Sequence, residues 1–407
     1  MKITNIYELA IQSVDPSVTL FYWDYTVDIE TGLQLSESPM FTEDTFGDIT
    51  YPVDSSWGWT YSNDSMIDAA IPNGRWAYEK TDLNDKYPDL GNSFGFMRGP
   101  WNYNPSPYIS RFSIAVTRLP SCSAYYDWLK GTILEDFNGD APFAPHASTH
   151  GAIGAVYGCD MFIPLLRKGA IKDQDSLMAV CKKWGFYLKE FYRSGVLSRQ
   201  DEDKCSVESL DYDGVDCGVV CPDTDDDKYE TLKTQMKKQV TSSNVPENFE
   251  DWDIWVDFLC TGDGYKVFVG DHLESASPSD PSFWPIHPNQ ERLLQLKFMT
   301  GGFDDNTWPT DAASVCDKAK CYINDLDDKD YYEQCCYGHY IDDQLLDFVS
   351  GDRYSGFGLT NRQVYEYTDP RLKDYNMPYI YDDFSWSHCE DDDFASLTEE
   401  LYEKNYE

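Results

Sequence analysis

The sequence has few basic residues and no long apolar run. Its 407 residues include 32 Lys and Arg against 72 Asp and Glu, so the formal net charge is −40. Nucleic acids and anionic membranes repel such an acidic chain, and we expect neither as a partner. No stretch of about 18 apolar residues occurs, so the sequence predicts no membrane-spanning helix. The acidic segments also lack the EF-hand spacing, and the acid excess therefore predicts a solubilising surface.

Histidine is scarce as well. The chain contains six, and none of them lies among residues 1–145. The imidazoles that any site could use are therefore those of His146, His150, His272, His287, His339 and His388.

The 12 cysteines include no pair with the CxxC spacing of common zinc sites. Their irregular spacing favours disulfides of an exported protein. The first residues nevertheless lack the apolar core of a signal peptide, so we expect a secreted or secretory-lumen protein whose N-terminal part is missing from this sequence. Cys205, Cys217 and Cys221 accompany 12 acids and two lysines in residues 201–230, which predicts a solvated, disulfide-pinned insertion. A lid over a functional site is the alternative role for that segment.

Hydrophobic periodicity predicts a mainly α fold with long irregular loops and few short strands. A helix end near residues 6–10 is followed by a predicted strand at 17–25. Residues 26–145 are rich in Pro, Gly and Asn and predict loops with a short helix at 123–134. The most helical part is 146–200, where one apolar stripe recurs at spacings of three and four: Leu177, Val180, Cys181, Trp184 and Leu188.

His146-Ala-Ser-Thr-His150 is the first motif that indicates chemistry. Residues four apart lie on one face of a helix, about one turn from each other, so both rings can reach one metal ion. Pro145 is a common residue at a helix start. An isolated His-x3-His pair is weak evidence, because most such pairs are ordinary surface or core residues.

The second motif is Ser277-Pro-Ser-Asp-Pro-Ser-Phe-Trp-Pro-Ile-His287-Pro-Asn-Gln-Glu-Arg292. It combines a helix start, an aromatic pair, one histidine and an acid-base pair, and Leu293 to Phe298 continue the helical pattern. Pro285 and Pro288 each lack an N–H, and we expect them to limit the helix around His287. With the first motif it supplies three imidazoles, the number that copper or zinc takes when one position stays open.

In this order the two motifs resemble the second copper site of tyrosinases, catechol oxidases and molluscan-type hemocyanins. In that family a His-x3-His helix is followed by Asp-Pro-x-Phe, a His pair and an Asp-Arg end. Here the first His of the pair is Ile286, the second is His287, and the end is Glu291-Arg292. Residues 18–24 also resemble the family's Pro-Tyr-Trp-Asp-Trp segment, and residues 377–383 resemble its Tyr-x-Tyr motif.

The resemblance implies a tyrosinase-like helical bundle around a copper site over residues 1–384, with an acidic insertion at 201–250 and an acidic tail at 385–407. It implies that His146, His150 and His287 bind copper, and that the family's activity is oxidation of o-diphenols to o-quinones by dioxygen. A small phenol and dioxygen would then be the partners. The family needs a second copper with three more histidines, whose helices would precede residue 18. We therefore expect this chain to lack the first copper site and to be a poor oxidase by itself.

A non-catalytic metal-binding or structural protein on the same scaffold is the alternative function. His272 could be a stand-in ligand or, more simply, a residue that supports a ligand, and structural roles are the default for His339 and His388. Asp280 is expected to cap a helix or to anchor Arg292. The remaining interpretations are a structural ion pair between Glu291 and Arg292, and a pocket wall or core for Phe283 and Trp284. Neither the substrate nor the oligomeric state follows from the sequence.

Overall fold

The structure is a computed structural model. It describes residues 2–49, 69–84, 90–111, 119–143, 145–154, 156–200, 205, 218–261, 264–308, 341–342, 344–346 and 356–389.

Helices dominate these residues. The α-helices are α1 (Lys2–Val14), α2 (Tyr25–Glu30), α3 (Cys122–Leu129), α4 (Leu134–Asp140), α5 (Ala147–Gly154), α6 (Ile163–Arg167), α7 (Gln174–Arg193), α8 (Asp227–Val240), α9 (Asp253–Cys260), α10 (Phe283–Met299) and α11 (Asn361–Thr368). Short 3-10 helices lie at Leu35–Glu37, Cys159–Phe162, Gly264–Lys266, Asp271–Leu273 and Ser277–Ser279.

The strands are short and pair in twos. They are β1 (Val156–Tyr157), β2 (Ser198–Arg199), β3 (Val219–Val220), β4 (Phe268–Val269), β5 (Gln344–Leu346) and β6 (Gly356–Thr360). In the described part of the chain β1 pairs with β4, β2 with β3 and β5 with β6, all antiparallel. The prediction of a mainly α protein with few short strands is confirmed.

The predicted strand at 17–25 is wrong. Residues 18–24 are irregular, and α2 begins at Tyr25 with Asp24 as its N-cap. The backbone N–H of Trp23 donates to the carbonyl of Pro285 in α10 at 2.9 Å. The backbone N–H of Trp23 is therefore hydrogen-bonded to a helix, whereas a strand at 17–25 would need a neighbouring strand as its hydrogen-bond partner.

The chain divides into two compact units. Unit 1 contains residues 1–32, 119–148 and 284–407, and unit 2 contains residues 33–118 and 149–283. The chain thus passes from one unit to the other inside α5, which is a continuous helix. The two units interleave along the chain, and the predicted tyrosinase-like domain over 1–384 stays a prediction.

Helix α7 is at the centre of unit 2. Asp173 caps its first turn by accepting from the backbone N–H of Ser176 at 2.8 Å. The predicted apolar stripe is buried in the core of the unit, as expected, with Leu177, Val180, Cys181 and Trp184 each 0 % exposed. Burial of such side chains contributes about 1.5 to 3 kcal/mol each.

Part of the predicted insertion belongs to this core. Helix α8 lies within 201–250, and its Leu232, Met236 and Val240 are each 0 % exposed. Cys221 forms a disulfide with Cys260 of α9. Helix α8 is therefore a packed element of unit 2, because its apolar stripe joins the core. The solvated segment was predicted for 201–230, and these three buried residues lie beyond it.

In unit 1, Glu291 and Arg292 of α10 are both buried but do not form the predicted ion pair. Glu291 accepts hydrogen bonds from the hydroxyls of Thr4, Tyr379 (2.9 Å) and Tyr381 (3.4 Å). Successive side chains on a helix point about 100° apart, so two adjacent residues such as Glu291 and Arg292 do not face each other.

Arg292 instead pairs with Asp24 at 2.9 Å, and its guanidinium lies 3.9 Å from the ring of Trp386. It also donates to the carbonyls of Asp383 (2.6 Å) and Ser385 (3.0 Å). Residues 383–386 therefore pack against α10 within unit 1.

Three disulfides lie among the described residues: Cys122–Cys389, Cys159–Cys181 and Cys221–Cys260. Cys205 is disulfide-bonded too. The predicted use of cysteine in disulfides is confirmed for these residues, and it suggests folding in an oxidising, secretory-type environment. The other cysteines, Cys217, Cys316, Cys321, Cys335 and Cys336, lie outside the described residues. Among the described helices, none is long and apolar enough to cross a membrane.

Candidate metal centre

The first two histidines of the predicted site lie immediately before α5 and within it. His146 directly precedes the helix and is 6 % exposed, and His150 follows one turn later and is half-buried. The hydroxyl of Tyr25 donates to the carbonyl of Pro145 at 2.6 Å, which fixes the start of the helix. Of the predicted His-x3-His pair, His150 lies on the helix, whereas His146 is the residue just before its first turn.

Helix α10 carries His287 and continues through both prolines, contrary to the expected break. Pro285 is its third residue, where a backbone N–H has no intrahelical acceptor in any case. Pro288 lies in the interior of the helix, where its missing N–H removes one backbone hydrogen bond. Contacts from the rest of unit 1 hold this part of the helix: Gln290 donates to the carbonyl of Ala141 at 2.7 Å, and Trp284 stacks on Tyr7 at 3.7 Å.

The rings of His146 and His287 lie 4.6 Å apart between centroids. The nitrogens that His146, His150 and His287 can offer to a metal all lie within 4.8 Å of one another. No cysteine or carboxylate belongs to this group of described residues. The structure therefore brings the three histidines together in an arrangement that could hold a metal ion.

The hydrogen bonds of His150 set its tautomer. Its Nδ1 lies 2.7 Å from the carbonyl oxygen of His272, and 3.3 Å from the hydroxyl of Ser277. A carbonyl oxygen only accepts, so Nδ1 carries the proton and Nε2 keeps its lone pair. A bond from the second ring nitrogen to a carbonyl is typical of histidines that bind metals, because it fixes the ring orientation.

His272 supports His150 and is itself held firmly. It is 1 % exposed, its Nε2 lies 2.8 Å from the hydroxyl of Ser282, and it is 3.7 Å from Asp280. This placement agrees with the interpretation of His272 as a residue beside a ligand. His272 does not belong to the three-histidine group.

Asp280 pairs with Arg111, a residue that the sequence analysis did not single out. The guanidinium makes two hydrogen bonds to the carboxylate, at 2.8 and 2.9 Å. Burial alone would raise the pKa of Asp280, but the charges of Arg111 and His272 outweigh it and hold that pKa well below its ordinary value. The anchor predicted for Arg292 is thus an anchor for Arg111. The predicted capping role holds in part, since Asp280 accepts from the backbone N–H of Ser282 at 2.9 Å just before α10.

Phe283 and Trp284 differ in their surroundings. The ring of Phe283 lies 6.0 Å from that of His150, next to the histidines, whereas Trp284 stacks on Tyr7 as described above. Phe283 is therefore placed as an apolar neighbour of the candidate site and Trp284 as a packing residue of unit 1.

A second group, Cys122, His388 and Cys389, also has metal-ligand spacing. Its two cysteines form a disulfide, so neither offers a thiolate. His388 bonds to the hydroxyl of Thr26 at 2.7 Å, in line with the structural role expected for it. His339 lies outside the described residues.

A donor set of three imidazoles suits copper and zinc alike. Neutral nitrogen ligands stabilise both oxidation states of copper, and a helix with two of the three ligands limits the freedom of the site. The residues present therefore fit the metal that the resemblance implies, without selecting it over zinc.

No protein-family model matches the chain, and no curated protein matches it significantly. The likeness to copper oxidases therefore rests on short sequence motifs alone, at residues 18–24, 146–150, 277–292 and 377–383.

Proposed function

We propose that His146, His150 and His287 bind one copper ion and that the chain is an oxidoreductase of the tyrosinase and catechol oxidase type. The observation that carries the proposal is the grouping of three imidazoles within 4.8 Å. Each comes from a segment that resembles a ligand segment of the second copper site. The substrates would be o-diphenols and dioxygen, and the tyrosinase-like core is part of the same proposal.

Bound copper would supply electron exchange between a diphenol and dioxygen. The protein's own residues supply binding and orientation. His150 would bind through Nε2, because its Nδ1–H donates to the carbonyl of His272 at 2.7 Å. Phe283 would present an apolar ring beside the site and favour an aromatic substrate over water.

Copper titration of the purified chain tests the proposal. We expect one copper per chain, with electron paramagnetic resonance showing nitrogen ligands. His287→Ala should weaken binding at least tenfold, since a three-ligand site loses one donor. His388→Gln is the matched control, because His388 lies outside the group and should leave the affinity unchanged. Equal loss in both variants, or no stoichiometric binding, would refute the site.

A non-catalytic metal-binding protein on the same scaffold is the second candidate. It is favoured by the small number of histidines, since the three outside the group are His272, His339 and His388. Two of these already have structural partners, Ser282 and Thr26. Preference for zinc over copper in a competition titration would favour this candidate.

We further propose a secreted or secretory-lumen location. It is supported by the disulfides of α3, α7 and α9. Fractionation of cells that express the protein natively would test it.

A further inference from the structure

Unit 2 contains a pocket whose lining includes none of the histidines. This pocket has a volume of about 810 Å³, within the range of small-molecule sites. Its wall includes Lys172, Lys237 and Lys238 against a single acid, Glu247. The charge of the lining is therefore three minus one, or +2, in a chain whose formal net charge is −40.

The lysines are available to a ligand. Lys237 and Lys238 lie in the last turn of α8 and are exposed, and neither has a carboxylate partner among the described residues. Lys172 makes only a 4.0 Å contact with Asp173. Its backbone N–H donates to the carbonyl of Asn244 at 3.0 Å, which joins the two sides of the pocket.

The segment after α8 adds hydroxyl donors in a constrained backbone. Thr241, Ser242 and Ser243 line the pocket, and the hydroxyls of Thr241 and Ser243 lie 2.9 Å apart. Thr241 has φ 65° and ψ 150°, a conformation that is strained for any residue with a side chain. Asn248 on the same wall has φ 61°. Such strain concentrates at binding segments, where the surrounding structure has to impose it.

Aromatic residues form the apolar part of the wall. Phe249 and Trp252 contribute their rings, which lie 5.3 Å apart. Trp252 is 6 % exposed, and its indole N–H has no acceptor among the described residues.

We propose that this pocket binds a small phosphate or sulfate ester with an aromatic or apolar body. Lysine ammonium groups bind tetrahedral oxyanions as point charges, and hydroxyls can donate to the remaining oxygens. The rings of Phe249 and Trp252 would hold the organic body.

Calorimetric titration with inorganic phosphate, phenyl phosphate and phenyl sulfate tests this site. A chelator in the buffer keeps any metal at the histidines out of the measurement, so the result is independent of the proposed copper site. Phenyl phosphate should bind at least tenfold more tightly than phosphate. Comparison with phenyl sulfate identifies which ester is preferred.

Matched variants separate a built site from diffuse attraction. Lys237→Gln with Lys238→Gln should weaken phenyl phosphate binding at least tenfold. Lys183→Gln with Lys228→Gln removes the same charge from residues outside the lining and should leave binding within twofold. Phe249→Ala should abolish the preference for the aryl ester and spare phosphate binding. Absence of phenyl phosphate binding, or equal weakening in the two double variants, would overturn the proposal.

Discussion

Buried charges in unit 2 occur as pairs whose partners are far apart in sequence. Arg98 and Asp271 form a pair with both side chains 0 % exposed, and Arg111 and Asp280 form another. A lone buried charge costs several kcal/mol, whereas a pair with two hydrogen bonds offsets much of that cost. These two pairs fix the loops that hold His272 beside α5.

Asp280→Asn should lower the free energy of unfolding by about 3 kcal/mol, because Arg111 would stay buried without its counter-charge. Urea unfolding at neutral pH measures the change. The control is Asp342→Asn, which removes the exposed partner of Arg362 and should leave the free energy of unfolding nearly unchanged, because solvent screens that pair. Similar losses in both variants would contradict the role given to burial.

Glu274 should make stability depend on pH. Burial, with the charge of Asp271, raises the pKa of Glu274 to about 7 from 4.5. Because the folded pKa lies above the unfolded one, the neutral form stabilises the protein below about pH 4.5, and this contribution is lost as the pH rises through 7.

Between pH 5 and pH 8 the parent protein should therefore lose about 1 to 2 kcal/mol more than the Glu274→Gln variant. Urea unfolding at the two pH values gives this difference. Glu250→Gln, at an exposed position, should follow the parent. A Glu274→Gln variant with the parent's pH dependence would show that the pKa of Glu274 is not raised.

At the scale of elements, the contact between α5 and the 3-10 helix at Asp271–Leu273 depends on a glycine. A Cβ on Gly154 would lie 2.5 Å from the Cβ of His272 and 2.9 Å from its backbone nitrogen. The backbone of Gly270 also donates to the carbonyl of Gly154 at 2.8 Å. Any larger residue must push α5 away from the group that orients His150.

Gly154→Ala should lower the free energy of unfolding by about 1 to 3 kcal/mol through overpacking. It should also weaken copper binding, if the proposed site is correct, because the bond from His150 to His272 would lengthen. The control is Gly139→Ala in α4, where a Cβ meets nothing within 4 Å. That change should raise stability by up to about 1 kcal/mol, since alanine favours a helix. Thermal and urea unfolding distinguish the two outcomes.

At the scale of the whole molecule, unit 1 is closed by a disulfide between distant residues. Cys122 of α3 and Cys389 are 267 positions apart, whereas Cys159 and Cys181 are 22 apart. A longer closed loop removes more entropy from the unfolded chain.

Replacing Cys122 and Cys389 by Ala should therefore lower the free energy of unfolding by about 4 to 5 kcal/mol, against about 3 kcal/mol for the Cys159 and Cys181 pair. Urea unfolding of the two double variants tests the order. The reverse order would show that native packing around each pair outweighs loop entropy.

Catechol oxidation by the chain as given should be slow or absent, even after copper loading. The sequence has six histidines and none before residue 146, too few for two sets of three once His272 and His388 serve their structural partners. Absorbance of the quinone, measured together with the copper content, tests the expectation. Rapid quinone formation with two coppers per chain would contradict it.

Local patterns in the sequence determined where helices form and which of their faces are apolar. The 3.6-residue stripe of α7, the His-x3-His spacing at α5 and the helix that carries Arg292 all follow from side chains within a few turns of one another. The strand expected at 17–25 was wrong because its backbone donates to α10, a partner 262 positions away that no local pattern indicates.

The tertiary structure alone decided which elements share a core and which charges pair. Asp280 bonds to Arg111 across 169 positions, and Arg292 bonds to Asp24 across 268. It likewise decided that His287 approaches His146 and that the backbone of His272 orients His150. Hydrophobic periodicity encodes the face that a helix buries but not the face that it meets, so these contacts follow from packing and not from spacing along the chain.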